Sequence, residues 1–273
     1  MLGSKRGRVW LFPDGIARDY SRALVAATKR NNEYLRRVIF GNRNDEDDDF
    51  ASVMPEWKAQ LAAIAAALFE SKAIFAPVIE RLDGIFRLTV DFNDRQWRAV
   101  FKYGTRNELP PVAGQSIPQP KAFGSMGINI YRNEPWLAEM MDVWVSENTS
   151  LITRIPADQV ANMEDIIRRA VINGSSSKTL KEDILAQFDM AEKRARLIAE
   201  DQIGKANAAL TRQRLKDAGV ERYVWRGVMD SRERPAHKAR EGKDYPVGYE
   251  HDDGQIGTAI RCRCWPDPVF DDE

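Results

Sequence analysis

The sequence predicts a mainly α-helical chain with an irregular Pro-rich loop in its helical body and a small C-terminal α+β or β-rich knob. Three observations carry that prediction. Apolar residues recur at helical spacing through most of the 273 residues. Prolines crowd one stretch near the middle. Beyond Gly219 the pattern changes to a β-branched and aromatic run followed by short segments broken by Gly and Pro. A hydrophobic content of 43% supports a packed core, and 41 basic residues balance 41 acidic ones, so no global charge draws the chain to nucleic acid. No continuous apolar run approaches the roughly 18 residues that span a bilayer. The opening MLGSKRGRVWLFPDG lacks the apolar core of a secretory signal. With two cysteines there is no disulfide framework, which points to synthesis in a reducing cytoplasm.

The first expected helix covers Arg18 to Phe40, where Leu24, Leu35 and Ile39 punctuate a polar sequence. The run Asp45-Glu46-Asp47-Asp48-Asp49 then concentrates like charge and reads as a solvated linker, or as an acidic patch for a basic partner. Leu61, Ile64, Ala65, Leu68, Lys72 and Phe75 follow i, i+3, i+4, i+7 spacing and predict a core-facing helix, which Pro77 bends or ends. Gly104, Pro110, Pro111, Gly114, Pro118 and Pro120 forbid regular structure and predict an extended loop over 104–120.

Pro135 is placed to start a helix whose face carries Trp136, Met140, Val143 and Trp144. Pro156 is placed to open another, with Val160, Met163, Ile167, Ala170 and Val171 in a stripe and Gly174 as its stop. Thr179 and Glu182 have capping-box spacing before Leu180, Ile184 and Phe188. After a short break, a long helix is expected from about Ala191 to Asp217, stopped by Gly219. Within it Asp201 and Lys205 stand four apart, as an ordinary ion pair would. Gly204 costs such a helix about 1 kcal/mol, which points to a second segment approaching closely. Glu221 to Val228 reads as a strand. The chain thus divides into a helical N-terminal region (1–125) with the acidic linker and Pro-rich loop, a helical part (126–219) and the knob (220–273).

His237, His251, Cys262 and Cys264 are the entire stock of histidine and cysteine, and all fall in about a tenth of the chain. Thiolate and imidazole together suit tetrahedral zinc, and a site closed by four protein ligands is structural. Asp230 is placed to ligate or to orient an imidazole. Without a metal, the same residues make buried cysteines beside an Asp–His hydrogen bond.

The order Asp230-Ser231-Arg232-Glu233-Arg234-Pro235-Ala236-His237, then Gly242-Lys243, then Cys262-Arg263-Cys264 resembles the signature of the phage Mu F-like head morphogenesis family. Asn148 with Leu151 and Ile152, the run Ile198 to Lys205 containing Asp201, Gln202 and Lys205, and Tyr223-Val224-Trp225 match it in order. The resemblance runs from about Pro135 to Val269. One departure stands out. The family often places His-Pro-Gly just before Cys-Arg-Cys, whereas here Asp252-Asp253-Gly254 follows His251, eleven positions before Cys262.

The resemblance implies a minor structural protein of a tailed-phage head, held inside the virion near the portal vertex after assembly in the host cytoplasm. It implies the portal protein as partner, scaffold or major capsid protein as further ones, packaged DNA nearby, no membrane, and a role in head assembly or genome ejection rather than catalysis. The competing reading from the residues is a metal-dependent nuclease or other nucleic-acid-processing enzyme, with Arg232, Arg234 and Arg240 gripping phosphate. That reading lacks the His-x-Glu and Pro-Cys-x-x-Cys of the zinc deaminases. A nucleic-acid-binding stripe of Lys193, Arg194, Arg196, Arg212, Arg214 and Lys216 is the third reading, diluted by Glu192, Glu200, Asp201 and Asp217.

Overall fold

The computed structural model describes residues 10–41, 57–104 and 134–269. The acidic run at 45–49 and the expected loop beyond Gly104 lie outside those residues. The described elements are helices α1 (Asp14–Phe40), α2 (Trp57–Ile79), α3 (Leu82–Gly104), α4 (Trp136–Asn173) and α5 (Ser177–Asp217), strand β1 (Arg222–Arg226), helix α6 (Pro235–Arg240), and strands β2 (Asp244–Pro246) and β3 (Trp265–Val269). The mainly helical body with a small C-terminal sheet is the architecture the sequence predicts.

Four details differ. Pro156 lies inside α4 and opens no new helix. Its missing N–H is outweighed by a stripe that continues through it, with Ile152, Ile155, Val160 and Met163 all buried. The Thr153 hydroxyl bonds back to the carbonyls of Thr149 and Ser150 in the same turn. The break expected before Ala191 is absent, because Phe188, Ala191, Ala195 and Ile198 keep one buried face unbroken along α5. The N-terminal cap of α5 lies one turn earlier than the Thr179–Glu182 spacing indicates: the Ser176 hydroxyl accepts the Thr179 N–H at 3.1 Å. Helix α3 has no counterpart in the sequence expectation. Pro77 is tolerated in the last turns of α2, which ends two residues later. By length and composition alone, Ala59–Val100 contains a window apolar enough to cross a bilayer, a test that core helices of soluble proteins also pass.

The described chain divides into two compact units. One holds residues 15–85 and 145–202. Its apolar core joins Leu35 and Ile39 of α1, Ile64 and Ala67 of α2, Val160, Met163 and Ile167 of α4, and Leu180, Ile184 and Phe188 of α5. Beside that core lies a buried polar layer. Tyr20 donates to Asn148 Oδ1 at 2.9 Å, and Asn148 donates to Gln202 Oε1 at 3.2 Å. Asn31 donates to Gln159 Oε1 at 2.9 Å, Gln159 to Asn32 Oδ1 at 2.8 Å, and Asn32 to the Phe188 carbonyl at 3.2 Å. Burial pushes the Tyr20 phenol well above its ordinary range, so it stays a donor. Amides paired this way fix helix register, because a slip would leave several buried groups unsatisfied.

The other unit holds residues 10–14, 86–144 and 203–269 as far as they are described. Arg214, 4% exposed, binds Glu134 through two nitrogens at 2.7 and 2.8 Å and donates to Asn93 Oδ1 at 2.7 Å. Asn93 in turn donates to Thr211 Oγ1 and the Asn207 carbonyl. Gly204 meets the close approach that its position predicts. A Cβ there would lie 2.9 Å from the Phe12 ring and 3.8 Å from the Cys262 carbonyl. Gly257 brings the knob against α5 in the same way, since a Cβ would fall 2.3 Å from Cβ of Ala208. Arg212 donates to the Ile256 carbonyl at 2.6 Å. The sheet order is β2-β1-β3, antiparallel throughout, with Trp225 facing Pro266 and Tyr223 facing Tyr245.

Candidate metal centre

The knob has little apolar material. Its core is Tyr223, Trp225, Ile256, Cys262 and Cys264. A core this small gains from a covalent or metal cross-link. Two local devices bring the reactive side chains inward. Burial alternates through 262–264: both cysteines are 6% exposed, while the Arg263 side chain, 24% exposed, reaches out to Asp230. This is how Cys-x-Cys presents two sulfurs together, without the helical turn a longer spacing uses. Pro235 starts α6, after Arg234 in an extended conformation, and turns His237 into the core at 2% exposure. Each motif segment is entered through a non-glycine residue of positive φ, Met229 (60°) before Asp230 and Arg261 (54°) before Cys262. Such backbone costs on the order of 1 kcal/mol and persists only where the surroundings impose it.

One ligand atom from each of His237, Cys262 and Cys264 lies within 4.8 Å of the others, and all three residues are buried. His237 Nδ1 stands 3.3 Å from Cys264 Sγ and 3.7 Å from Cys262 Sγ. The Cys264 N–H points to Cys262 Sγ at 3.5 Å. The hydrogen bond from Cys264 pulls the Cys262 thiol below its usual range, and the neighbouring Cys262 sulfur pushes Cys264 up. Cys262 is thus the more readily ionised of the two sulfurs.

Two carboxylates missed at the sequence level complete the surroundings. Glu233 Oε1 lies 3.3 Å from His237 Nδ1 and 3.3 Å from Cys264 Sγ, with its side chain only 5% exposed. Asp253 Oδ2 lies 2.8 Å from His237 Nε2. Burial raises the Asp253 carboxyl, but hydrogen bonds from His237 and Arg240 outweigh it and hold the group below its ordinary value. A carboxylate only accepts, so Nε2 carries a proton toward Asp253 and Nδ1 is the ring atom that faces the sulfurs. In the sequence Glu233 stands four before His237 and Asp253 follows two after His251, but neither position by itself marks a buried carboxylate.

His251 and Asp230 sit elsewhere. The His251 ring packs edge-on against Trp225 at 5.0 Å and Tyr245 at 4.7 Å, with Tyr249 also at 4.7 Å. Burial among these rings, and then Arg240, lowers its pKa. It lies outside the group that could hold a metal, and the imidazole-orienting part considered for Asp230 falls to Asp253. Asp230 instead holds two chain segments together. Its Oδ2 binds Arg263 at 2.6 Å and Arg232 at 3.0 Å, and its Oδ1 accepts the Arg232 N–H at 2.9 Å. Arg234 donates to the Ile260 carbonyl at 2.6 Å. Gly242, at φ 74°, turns the chain out of α6 and donates its N–H to the Trp225 carbonyl. Of the helical motif residues, Asp201 and Gln202 are buried, Gln202 against Asn148, and Lys205 is half-buried.

Comparison with known proteins agrees with the motif. Residues 161–265 match the family model described as Phage Mu protein F like protein. An uncharacterized protein of Haemophilus influenzae is 32% identical over 145 residues, which cover 51% of this chain and 32% of that protein. The chain thus spans about a third of the length of that curated relative. No solved structure matches. The matched segment contains the Asp201–Lys205 run, the Asp230–His237 string and Cys262-Arg263-Cys264, so over residues 161–265 the chain is similar to the phage Mu protein F-like family.

Proposed function

We propose that this protein is a minor structural component of a tailed-phage head, associated with the portal vertex, that supports head assembly or genome ejection without catalysing a reaction. The supporting observation is where the family motif points. Asp230, Arg232, Arg234 and Arg263 bind one another or backbone carbonyls of the knob, and Arg240 binds Asp253. These contacts tie the segments of the knob together, although the Arg232 side chain itself stays 73% exposed. A nuclease would keep its arginines available to a phosphate, whereas here Arg232, Arg234 and Arg240 are each engaged within the knob. The stripe reading is broken up, since Arg212 and Arg214 are turned inward and Arg194 pairs with Asp158, which leaves Lys193, Arg196 and Lys216 exposed. In this reading the portal protein is the main partner, scaffold or major capsid protein are further ones, packaged DNA lies nearby, and no membrane is involved.

The cation that suits the His237, Cys262 and Cys264 donor set is zinc. Held there, it would tie α6 to the segment leading into β3. The direct test of the head reading is co-expression of the full chain with the portal protein of the phage that encodes it. A complex that survives affinity purification and gel filtration is expected. Two proteins that elute apart, together with metal-dependent cleavage of DNA abolished by His237→Ala, would overturn the reading.

A further inference from the structure

Glu233 lies within the motif string without being singled out there as a ligand, yet it is the most buried carboxylate at the cluster, with a side chain 5% exposed. An ionised carboxylate at that depth needs a partner charge or several donors. Its neighbours at 3.3 Å are His237 Nδ1 and the Cys264 thiol, which donates to it. A metal cation bound by the imidazole and the sulfur would take the place of the proton between them.

The separations themselves describe one. A tetrahedral centre with metal–sulfur bonds near 2.3 Å and metal–nitrogen or metal–oxygen bonds near 2.0–2.1 Å sets its ligand atoms about 3.3–3.8 Å apart. His237 Nδ1 to Cys264 Sγ is 3.3 Å, Nδ1 to Cys262 Sγ is 3.7 Å, Nδ1 to Glu233 Oε1 is 3.3 Å, and Oε1 to Cys264 Sγ is 3.3 Å. These four edges fall in the range of one tetrahedron, while Glu233 lies outside the set of ligand atoms that are all within 4.8 Å of one another, so binding would draw its carboxylate toward Cys262. We propose that Glu233 is the fourth ligand of a closed zinc site with His237, Cys262 and Cys264, and that Asp253 positions His237 by holding the proton on Nε2.

This rests on the zinc reading given above and gives Glu233 the position that the residue types alone suggest for His251. With all four ligand side chains buried there is no open coordination position, so the site is structural and activates no water. The Cys264 N–H directed at Cys262 Sγ stabilises thiolate charge. Asp253, Arg240 and Trp225 then form the outer layer: Arg240 binds Asp253 at 2.7 Å and lies 5.1 Å over the Trp225 ring, whose edge meets His237. His251 contributes packing to that layer and no bond to the metal.

The test uses the full chain, purified without chelator. Elemental analysis should find about one zinc per chain. X-ray absorption at the zinc edge of the unaltered protein should give two sulfur and two nitrogen or oxygen neighbours. Cobalt substitution should give the intense visible bands of a tetrahedral thiolate site. H251A should keep the metal stoichiometry and the cobalt spectrum. E233A should weaken zinc in chelator competition by more than about 100-fold, and D253N by about 10- to 100-fold, the range of outer-layer partners. If zinc is bound but E233A matches the unaltered protein in affinity and spectrum, Glu233 is not a ligand and only this assignment fails. Loss of the spectrum in H251A would restore His251 to the site. If neither zinc nor cobalt binds the unaltered protein, both this assignment and the zinc reading fail. Should E233A not fold, the sulfur and nitrogen or oxygen count together with H251A decides the matter.

Discussion

Asp230 shows how a motif residue can be read correctly as a marker and still do different work from its neighbours. Its hydrogen bond from Arg263, with further bonds from Arg232, holds its carboxyl down at about 2, against an ordinary 3.8. A folded pKa below the unfolded one means that the ionised form stabilises the fold above about pH 4. That contribution is lost as pH falls from 3.8 toward 2. Titration of the Asp230 carboxyl followed by NMR should place its midpoint near 2, and in D230N the melting temperature should lose the part of its acid dependence that falls in that window. A midpoint in the ordinary carboxylate range would show that Arg263 does not clamp it. The His/Cys cluster is legible in the sequence because those residue types are so few. Glu233 and Asp253 are not, because 30% of the residues are charged and nothing local separates a buried carboxylate from a solvated one. The burial that distinguishes them comes from the turn into α6 and from the 251–254 bridge, both tertiary outcomes.

At the level of elements, the sequence shows helix ends better than helix continuity. Gly174 and Gly219 close α4 and α5 at φ 63° and 69°, as their positions predict. Strand β1 is legible because Tyr223, Val224 and Trp225 favour extended backbone. Pro156 misleads because the local pattern displays the cost of a proline but not the buried stripe that offsets it. The cost is measurable. Proline in a helix interior is about 3 kcal/mol worse than alanine, so P156A should stabilise the protein to urea by roughly 1–3 kcal/mol. Destabilisation would mean that the proline serves a bend that the packing requires. The Ala191 break misleads for the same reason, since Asp189 and Met190 look like an interruption only when the buried face beneath them is unseen. Helix α3 escapes notice because its apolar residues follow a proline-marked helix end and precede a glycine- and proline-rich stretch.

Across the whole molecule, interior polar work is divided between amide layers in the helices and ion pairs in the knob. The Tyr20–Asn148–Gln202 and Asn31–Gln159–Asn32 bonds fix register in one unit. In the other, Arg214 of α5 binds Glu134 and Asn93, and within the knob Asp230 binds Arg263. Neutral net charge fits a position close to packaged DNA without dedicated binding to it. The central claim, membership of the phage head, is tested most directly by quantitative mass spectrometry of heads purified from cells producing the encoding phage. The protein should be present in every preparation at a few copies per portal ring and should remain after washing in high salt. Its absence from purified heads, with the full amount recovered in the soluble lysate, would contradict the account.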